Sequence, residues 1–498
     1  MRNLSTLAWR VYDAPTKPWH GVVADTEGDD SVYVMRVERR DGVSQLTLAH
    51  ITPTGTEELA VLEVASAPPH VPDVADFRLL ADGGSSVNHM PAICVIGSGG
   101  DIVLMPVDEE ASAPAEVVGS VDQGILAAAW SPEEDVLVLI TGGEKRLIVM
   151  TREFEVMSET MLSTEAFGDD QPVNVGWGSK STQFHGSEGK QAAMAAANAP
   201  EESDPRGPLV PEDDGLPRIS WRGDGAFFVT SSAEASHDTV HRILRTYTRT
   251  GTLSATSDRS VRGISHVLAC RPTGNLIATT QRMGGPWAPG RHGRHDVVFF
   301  ERNGLRHGEF SLREEHGSVP DVPGVSAEPL PPWSCEHQIR LVSWNADGSV
   351  LAVVLQRAGQ HVLQLWTSGN YHWYLKHEST YEHLHAMTWH PEQPLTWYVS
   401  HARVEKRTMC LEIACSRGMP PHDAACASVV DGHMLYLTPF RLQNVPPPMC
   451  AVAIVDTPQH TVPHVPPATP VHVAWTTQSV EDQTTDIVAI LYPDASVH

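Results

Sequence analysis

The sequence has little positive charge. Its 498 residues include 35 Lys and Arg against 61 Asp and Glu, which gives a formal net charge of −26. A surface of this sign repels a phosphate backbone, so extensive direct binding of nucleic acid is disfavoured. Short basic runs occur at Arg242, Arg245 and Arg249 and at Arg291 and Arg294. We interpret both runs as solvated turn and strand positions, with contact to nucleic acid as the alternative.

The sequence also lacks a disulfide framework and long apolar runs. Its seven cysteines are odd in number and scattered along the chain, which favours a reducing compartment. The opening run MRNLSTLAWR has no apolar core of the signal-peptide kind, and no run approaches the roughly 18 apolar residues that span a bilayer. We therefore expect a soluble protein of the cytoplasm, or of cytoplasm and nucleus, with no membrane partner.

What is present favours an all-β fold. Hydrophobic residues make up 41% of the chain and charged residues 19%, with 38 Gly and 38 Pro, a composition typical of many short strands joined by turns. Gly251 and Gly304 lie between pairs of apolar alternating segments. Glycine tolerates the positive φ that tight hairpins require, so both positions predict hairpin turns.

An internal repeat specifies the type of β fold. Its unit is an apolar strand that ends in Trp, a polar turn with Pro, Asp or Gly, and a second aliphatic strand, followed by a third and a fourth strand. The aligned positions recur roughly every 45 residues, the period of a four-stranded propeller blade, except for one longer step between Cys270 and Trp344 that contains an inserted loop. They are Trp130, Trp177, Trp221, Cys270, Trp344 and Trp389. We interpret these tryptophans as blade core.

The count of repeats predicts two domains. Residues 1–380 are predicted to form a seven-bladed, WD40-like propeller, with inserted loops near 189–217 and 314–338 where Pro and polar residues concentrate. In this count the blade of Trp344 is the seventh, and the blade of Trp389 opens a second propeller. Residues 381–498 would then be the first blades of that second, incomplete ring, and we expect the chain to be a fragment or the product of a truncated gene model.

Catalytic constellations are not found. The segment around Ser265 lacks the second glycine of a hydrolase nucleophile elbow. The run from Gly186 to Lys190 lacks the first glycine and the final Ser or Thr of a phosphate-binding loop. The sequence therefore predicts no catalytic and no cofactor-binding residues, and a protein that is not an enzyme.

A group of histidines and cysteines raises the alternative of a zinc site. Structural zinc sites favour ligand pairs two to four residues apart in both halves, which this group meets only by accident. Its members are His372, His377, His383, His385, His390, Cys410, Cys415 and Cys426. With 26 His in the chain, composition explains the group, and we predict no metal site.

Two further features are candidates for binding. Tyr371, Trp373 and Tyr374 have rings that can stack on RNA bases, but on an outer blade strand packing is the favoured interpretation. The candidate loop for contact with a protein partner is a polar turn that presents an aromatic ring and an imidazole. It consists of Gln183, Phe184, His185 and Gly186.

Several blocks of the sequence are specific enough to indicate a family. They include VNVGWGSKSTQFHGSEGKQAA at 173–193, ISWRGDGAFF, WNADGSVLAV, QLWTSGNYHWYLK and VPPPMC at 445–450. The chain resembles the amino-terminal region of the largest, scaffold subunit of the Elongator tRNA-modification complex. The resemblance covers nearly the whole sequence, although the Ala-rich and Pro-rich loops have no counterpart that we can place.

The resemblance implies a role in assembly. It implies tandem propellers followed by a helical region, absent from this chain, that carries homodimerisation and a basic tRNA-binding segment. The complex would place carboxymethyl-type groups on the wobble uridine (U34) of tRNAs through a separate radical-SAM and acetyltransferase-like subunit. The expected partners are that subunit and a second propeller subunit, and tRNA would be met through the complex. Two alternatives stay open: a generic WD40-type adaptor in another complex, and a propeller that binds RNA directly.

Overall fold

The structure is a computed structural model of the chain. It describes residues 2–12, 17–26, 30–81, 91–107, 115–162, 168, 208–236, 239–258, 261–282, 295–312, 337–357, 359–369, 371–416, 425–441, 453–456, 469–480, 483–493 and 495–497. Within these residues the regular secondary structure consists of strands. No helix that is long and apolar enough to cross a membrane occurs among them.

Most strands lie in four-stranded antiparallel sheets, which we number as blades. The first strand of the chain, β1, is Asn3–Tyr12. Blade 1 contains β2 (Gly21–Ala24), β3 (Val32–Arg40), β4 (Val43–Thr52) and β5 (Gly55–Ala65), and blade 2 contains β6 (Val74–Leu80), β7 (Ala92–Gly97), β8 (Asp101–Pro106) and β9 (Glu116–Ser120). Blade 3 contains β10 (Ile125–Trp130), β11 (Val136–Thr141), β12 (Arg146–Thr151) and β13 (Val156–Met161).

The next three blades repeat the same order along the chain. Blade 4 contains β14 (Arg218–Trp221), β15 (Phe227–Ser236), β16 (Thr239–Thr248) and β17 (Leu253–Thr256). Blade 5 contains β18 (Ala269–Cys270), β19 (Ile277–Arg282), β20 (His295–Phe300) and β21 (Arg306–Ser311). Blade 6 contains β22 (Gln338–Trp344), β23 (Leu351–Arg357), β24 (Gln360–Gly369) and β25 (His372–Tyr381). The hairpin turns predicted at Gly251 and Gly304 are confirmed, with φ of 86° and 85°.

Blade 7 is assembled from both parts of the chain. Its inner three strands are β26 (Ala386–Trp389), β27 (Thr396–Ser400) and β28 (Val404–Glu412), and its outer strand is β1. Strand β1 runs antiparallel to β28, from Asn3 opposite Glu412 to Tyr12 opposite Val404. The amino-terminal strand therefore closes the ring.

This closure corrects the predicted boundary at residue 380. The blade of Trp389 belongs to the first ring, because β1 supplies its fourth strand, whereas the prediction placed it in a second ring. The blade predicted around Trp177 lies outside the described residues. The described residues form seven four-stranded sheets up to Glu412, so the predicted number of blades is confirmed. The set of blades differs from the prediction, because the blade of Trp389 is the seventh.

The core lies between neighbouring blades. The inner strands β2, β6, β10, β14, β18 and β22 follow one another around the ring, and β26 returns to β2. The indole of Trp221 donates a hydrogen bond to Ala129 O in the previous blade (3.2 Å), and that of Trp389 donates to Ser343 O (3.3 Å). At the aligned position in blade 5, the Cys270 thiol donates to the carbonyl of the residue before Trp221 (3.3 Å). The repeated position thus joins each of these blades to the one before it.

A second unit follows the ring. It contains a four-stranded sheet of β29 (Ala414–Cys415), β30 (Cys426–Asp431), β31 (Met434–Pro439) and β32 (Ala453–Asp456), and a hairpin of β33 (His472–Val480) and β34 (Gln483–Leu491). Both elements share an apolar cluster that includes Val430, Leu435, Val473 and Ile490. The predicted start of a second propeller is confirmed, and it begins after Glu412.

The predicted inserted loops fall largely outside the described residues. The described end of the first one, 208–217, packs against the ring, with Val210 and Leu216 buried. Of the second, 314–338, only the last two residues are described, and Gln338 already begins β22.

Candidate interaction surfaces

A buried polar seam joins the second unit to the ring. Lys376, on the outer strand β25, is 1% exposed and donates hydrogen bonds to Val430 O (2.7 Å) and Asn3 Oδ1 (3.3 Å). Asn3, on β1, also accepts from the Val430 N–H (2.9 Å) and donates through Nδ2 to Ser428 O (2.9 Å). One lysine and one asparagine therefore tie blade 6, blade 7 and the strand β30 together.

The seam contains an ionisable group, the amine of Lys376, in a buried environment. Burial lowers the pKa of the Lys376 ammonium to about 7, and the nearby Asp431 carboxylate opposes this shift. The ammonium also lies 4.7 Å from the centre of the Tyr374 ring. A lysine this deeply buried is costly unless its donors are satisfied, and here two carbonyl oxygens and a ring face satisfy it.

Asp431 fixes the other end of the seam. Its Oδ1 accepts the Leu375 N–H at 2.9 Å, and its Oδ2 lies 3.1 Å from His372 Nε2. Beside it, Tyr374, Val429 and Tyr436 form an apolar cluster across the same junction. Polar and apolar contacts together hold the second unit against blade 6.

The hairpin of the second unit reaches the closing blade. Trp475 Nε1 donates to Ser428 Oγ at 3.0 Å, and His472 Nδ1 lies 3.0 Å from Glu412 Oε1 and 3.3 Å from Ser5 Oγ. Strand β1 thus contacts both elements of the second unit. The sequence did not point to this junction, because Asn3 and Lys376 are far apart in the chain and no local pattern shows that they meet.

The arginines of the first basic run form ion pairs with carboxylates of the same chain. Arg242 Nε donates to Asp213 Oδ2 at 2.6 Å, and both side chains are buried. The buried Arg245 forms a two-pronged pair with Glu234, with 2.9 Å between Nη2 and Oε2. Arg249 pairs with Asp135 near the surface. The predicted exposure of Arg242 and Arg245 is wrong, and their positions do not favour contact with phosphate; Arg291 and Arg294 lie outside the described residues.

Asp213, Asp214 and His266 form the group of possible metal ligands found among the described residues. Their other contacts disfavour a cation. Asp213 is paired with Arg242, and Asp214 with Arg218, so a metal ion would meet two guanidinium groups. Burial lowers the pKa of His266 to about 4, which keeps its imidazole neutral. We interpret this group as a structural ion network between blades 4 and 5.

The histidines considered for zinc have separate roles. His377 is buried in blade 6, 2.7 Å from Ser379 Oγ, and burial lowers its pKa to about 3. The His390 ring nitrogen Nδ1 accepts the N–H groups of Glu392 and Gln393, both at 3.1 Å. His372 belongs to the seam. In the described part of the chain these residues do not converge on one point.

The three aromatic residues considered for RNA stacking lie in different environments. Trp373 stacks on Phe310, with ring centres 4.6 Å apart, and Tyr374 is buried in the seam. The predicted packing role is confirmed for both rings. Tyr371 is fully exposed at the hairpin tip, with a positive φ of 61°. The predicted contact loop of Gln183, Phe184, His185 and Gly186 lies outside the described residues and stays a prediction.

Two outer strands expose apolar side chains that no sequence motif marks as candidates for binding. On β1, Leu7 is 69% and Trp9 60% exposed. On β5, Leu59 is 36% and Val61 47% exposed. The alternation of polar and apolar residues in both segments predicts strands, but it cannot tell which face a neighbouring blade covers.

Comparison with known proteins identifies the family. Residues 1–392 match the family model described as ELP1 first N-terminal beta-propeller, and residues 429–486 match ELP1 N-terminal second beta-propeller. The chain is 32% identical over 482 residues to Elongator complex protein 1 of Mus musculus, which covers 91% of this chain and 31% of that protein. It is 35% identical over 362 residues to the Schizosaccharomyces pombe protein of the same name, covering 72% of this chain and 26% of the relative.

A third relative gives the same result. Elongator complex protein 1 of Saccharomyces cerevisiae is 35% identical over 377 residues, which are 70% of this chain and 26% of the relative. The chain therefore spans between a quarter and a third of the length of these relatives. The first matched region ends inside blade 7, after Trp389, in agreement with the placement of this blade in the first ring.

Proposed function

Because the chain belongs to the Elongator complex protein 1 family, we propose that it is a non-catalytic scaffold that assembles the subunits of the Elongator complex. In this role it supports modification of the wobble uridine of tRNAs in the cytoplasm. The chemistry would be performed by a separate radical-SAM and acetyltransferase-like subunit. A second propeller subunit is the other proposed partner.

The observation that carries this proposal is the seam. Asn3, Lys376 and Asp431 join two propeller units through buried polar contacts, so loops and outer strands of both units are held in one arrangement. A propeller presents rigid faces on which several proteins can dock. A scaffold that positions an enzyme against another subunit benefits from such a fixed double platform.

The distribution of charge supports assembly over direct RNA binding. The net charge is −26, and Arg242, Arg245 and Arg249 are paired with carboxylates of the same chain. Recognition of tRNA would then rest with other parts of the complex, and homodimerisation with regions of the relatives that this chain does not span. The generic adaptor and the RNA-binding propeller are the alternatives against which the proposal is tested.

The test is co-expression of the chain with the catalytic subunit and the second propeller subunit. We expect all three to co-purify at moderate salt. The double variant Lys376→Met with Asp431→Leu should release the second unit and weaken this association. Arg146→Ala, which alters an exposed ion pair with Glu144 and Glu159, is the matched control and should leave it unchanged.

Two results would contradict the proposal. If neither subunit co-purifies with the wild-type chain, the chain is not a platform for them. If tRNA binds to the isolated chain with a steep dependence on salt, the RNA-binding alternative is favoured, because genuine phosphate contacts release counterions. A chimera in which this chain replaces the matching region of the Saccharomyces cerevisiae relative separates Elongator function from a generic adaptor, through mass spectrometry of the wobble uridine.

A further inference from the structure

Among the described residues the ring has three long outer strands, and two of them contact the second unit. Strands β25 and β1 have 10 residues each, and both contact the second unit. The third is β5, with 11 residues, in the blade next to the closing blade. Within the described part of the chain β5 is paired on one edge only, with β4, as β1 is with β28 and β25 with β24. The fold thus seats a second β unit against two of these three long edge strands.

The exposed side chains of β5 are both apolar and acidic. Leu59 and Val61 are exposed, as are Glu57, Glu58 and Glu63. None of these three carboxylates has an ion pair within the described residues. An open strand edge with exposed aliphatic side chains is prone to pair with another strand. The carboxylates restrict which strand that can be.

The opposite face anchors β5 firmly. Val64 is buried and Leu62 packs against the core between blades 1 and 2. At the end of the strand the Ala65 N–H donates to Asp101 Oδ2 of blade 2 at 3.2 Å. The open edge is therefore preformed, so a partner strand would not have to order it on binding.

We propose that β5 is a docking site for an extended segment of another protein, in which Lys or Arg alternates with aliphatic residues. This segment adds a fifth strand to blade 1. Main-chain hydrogen bonds to the open edge give affinity, and alternate side chains meet Val61 and the carboxylates of Glu58 and Glu63, which lie on the same face of β5. A second copy of the chain is not the occupant, because pairing two β5 strands would bring six exposed carboxylates together.

The probe is a labelled synthetic peptide of about ten residues that alternates Lys and Val, matched to the length of a strand. Binding to the 498-residue chain is measured by fluorescence anisotropy. We expect Val61→Asp to weaken binding by at least about tenfold, and the pair Glu58→Lys and Glu63→Lys to do the same. Val156→Asp is the matched control, since Val156 is an exposed residue of the outer strand β13 in blade 3.

Specific strand pairing with β5 must be distinguished from the general electrostatic attraction of a basic peptide to an acidic protein. A peptide of the same charge with prolines in place of alternate valines cannot form the ladder and should not bind measurably. On binding of the Lys–Val peptide, amide hydrogen exchange should slow in β5 and not in β13. Equal binding of the proline peptide, or equal losses in the Val61 and Val156 variants, would overturn the proposal. Because no Elongator subunit is used, this test is independent of the proposed scaffold function.

Discussion

Blades 6 and 7 are neighbours with the same four-stranded form, but the chain builds them differently. Blade 6 uses one continuous stretch from Gln338 to Tyr381, in which each strand pairs with the next. Blade 7 takes three strands from Ala386 to Glu412 and its fourth from Asn3 to Tyr12. The continuous blade forms from local hairpins, whereas the closing blade needs a contact between the two ends of the ring.

The difference explains why the second unit is seated where it is. Asn3 lies on the closing strand and bonds to both Lys376 of blade 6 and Val430 of the second unit. Closure of the ring and docking of the second unit therefore depend on the same strand. Damage to a continuous blade should stay local in its consequences, while damage to the closing strand should affect both units.

Deletion of residues 2–12 should have the largest effect. It removes the outer strand of blade 7, the buried side chains of Leu4 and Tyr12, and the Asn3 contacts. We expect a loss of more than about 5 kcal/mol of unfolding free energy, or loss of cooperative unfolding. Thermal denaturation followed by circular dichroism measures it. A synthetic peptide of residues 2–12 should restore stability and a scrambled peptide should not; an unchanged melting curve would contradict ring closure by β1.

Arg245→Met should have the next largest effect, within a continuous blade. It leaves the buried Glu234 carboxylate without its guanidinium partner, which typically costs about 3–5 kcal/mol. Urea denaturation measures the loss. Arg249→Met, which removes a surface pair with Asp135, is the control and should cost about 0–1 kcal/mol. Similar losses in the two variants would show that burial does not distinguish these pairs.

Lys376→Met should change the pH dependence of stability at the seam. In the folded chain the pKa of Lys376 is lowered to about 7, below the value near 10.4 of an unfolded lysine. Between these values the unfolded chain binds more protons, so stability rises with pH, by up to about 1.4 kcal/mol per pH unit. Denaturation at a pH of about 7 and about 9 should therefore show a gain for the wild-type chain relative to Lys376→Met. Parallel curves for the two chains would contradict the buried position of Lys376.

Trp9→Ala should have the smallest effect, although it changes the largest side chain of β1. Trp9 is mostly exposed and donates one hydrogen bond, to Glu405 Oε2 at 3.2 Å. We expect a loss within about 1 kcal/mol by thermal denaturation. A loss comparable to that of the deletion would mean that Trp9, and not the strand pairing, holds β1 in place.

The sequence predicts the continuous blades well, for a physical reason. Each has its hydrophobic alternation and its turns within one stretch, and the first strands of blades 3, 4 and 6 end in Trp. Trp130, Trp221 and Trp344 are buried as predicted. The closing blade cannot be read in this way, because no local pattern shows that β1 pairs with β28. The error at residue 380 follows from the count, because a blade assigned to Trp177 made the blade of Trp344 the seventh and left the blade of Trp389 to a new ring.

The interaction surfaces could be predicted less well than the fold. Lys376 has the sequence context of an ordinary exposed lysine, and only the pairing of β1 and the position of β30 make it buried. Arg242 and Arg245 likewise suggest a basic surface until Asp213 and Glu234 are placed beside them. In each instance the partner is supplied by tertiary structure and not by a neighbouring residue.

The most direct test of the central claim, closure of the ring by β1, uses a cysteine that the chain already has. Ser5 and Cys410 are register partners in the pairing of β1 with β28. Directly opposed residues of antiparallel strands lie about 4.5–5.5 Å apart at Cα, within the range that a disulfide spans. Ser5→Cys should therefore form a disulfide with Cys410 under mild oxidation, detected as a linked pair of peptides by mass spectrometry.

The control variant is Leu7→Cys. Leu7 occupies the irregularity between Thr6 and Ala8, has no register partner on β28 and is exposed, so it should give little linkage to Cys410. Efficient linkage of position 5 alone is the result that the account predicts. Absence of the Ser5→Cys linkage in the folded protein, or equal linkage from both positions, would contradict closure of the ring by its first strand.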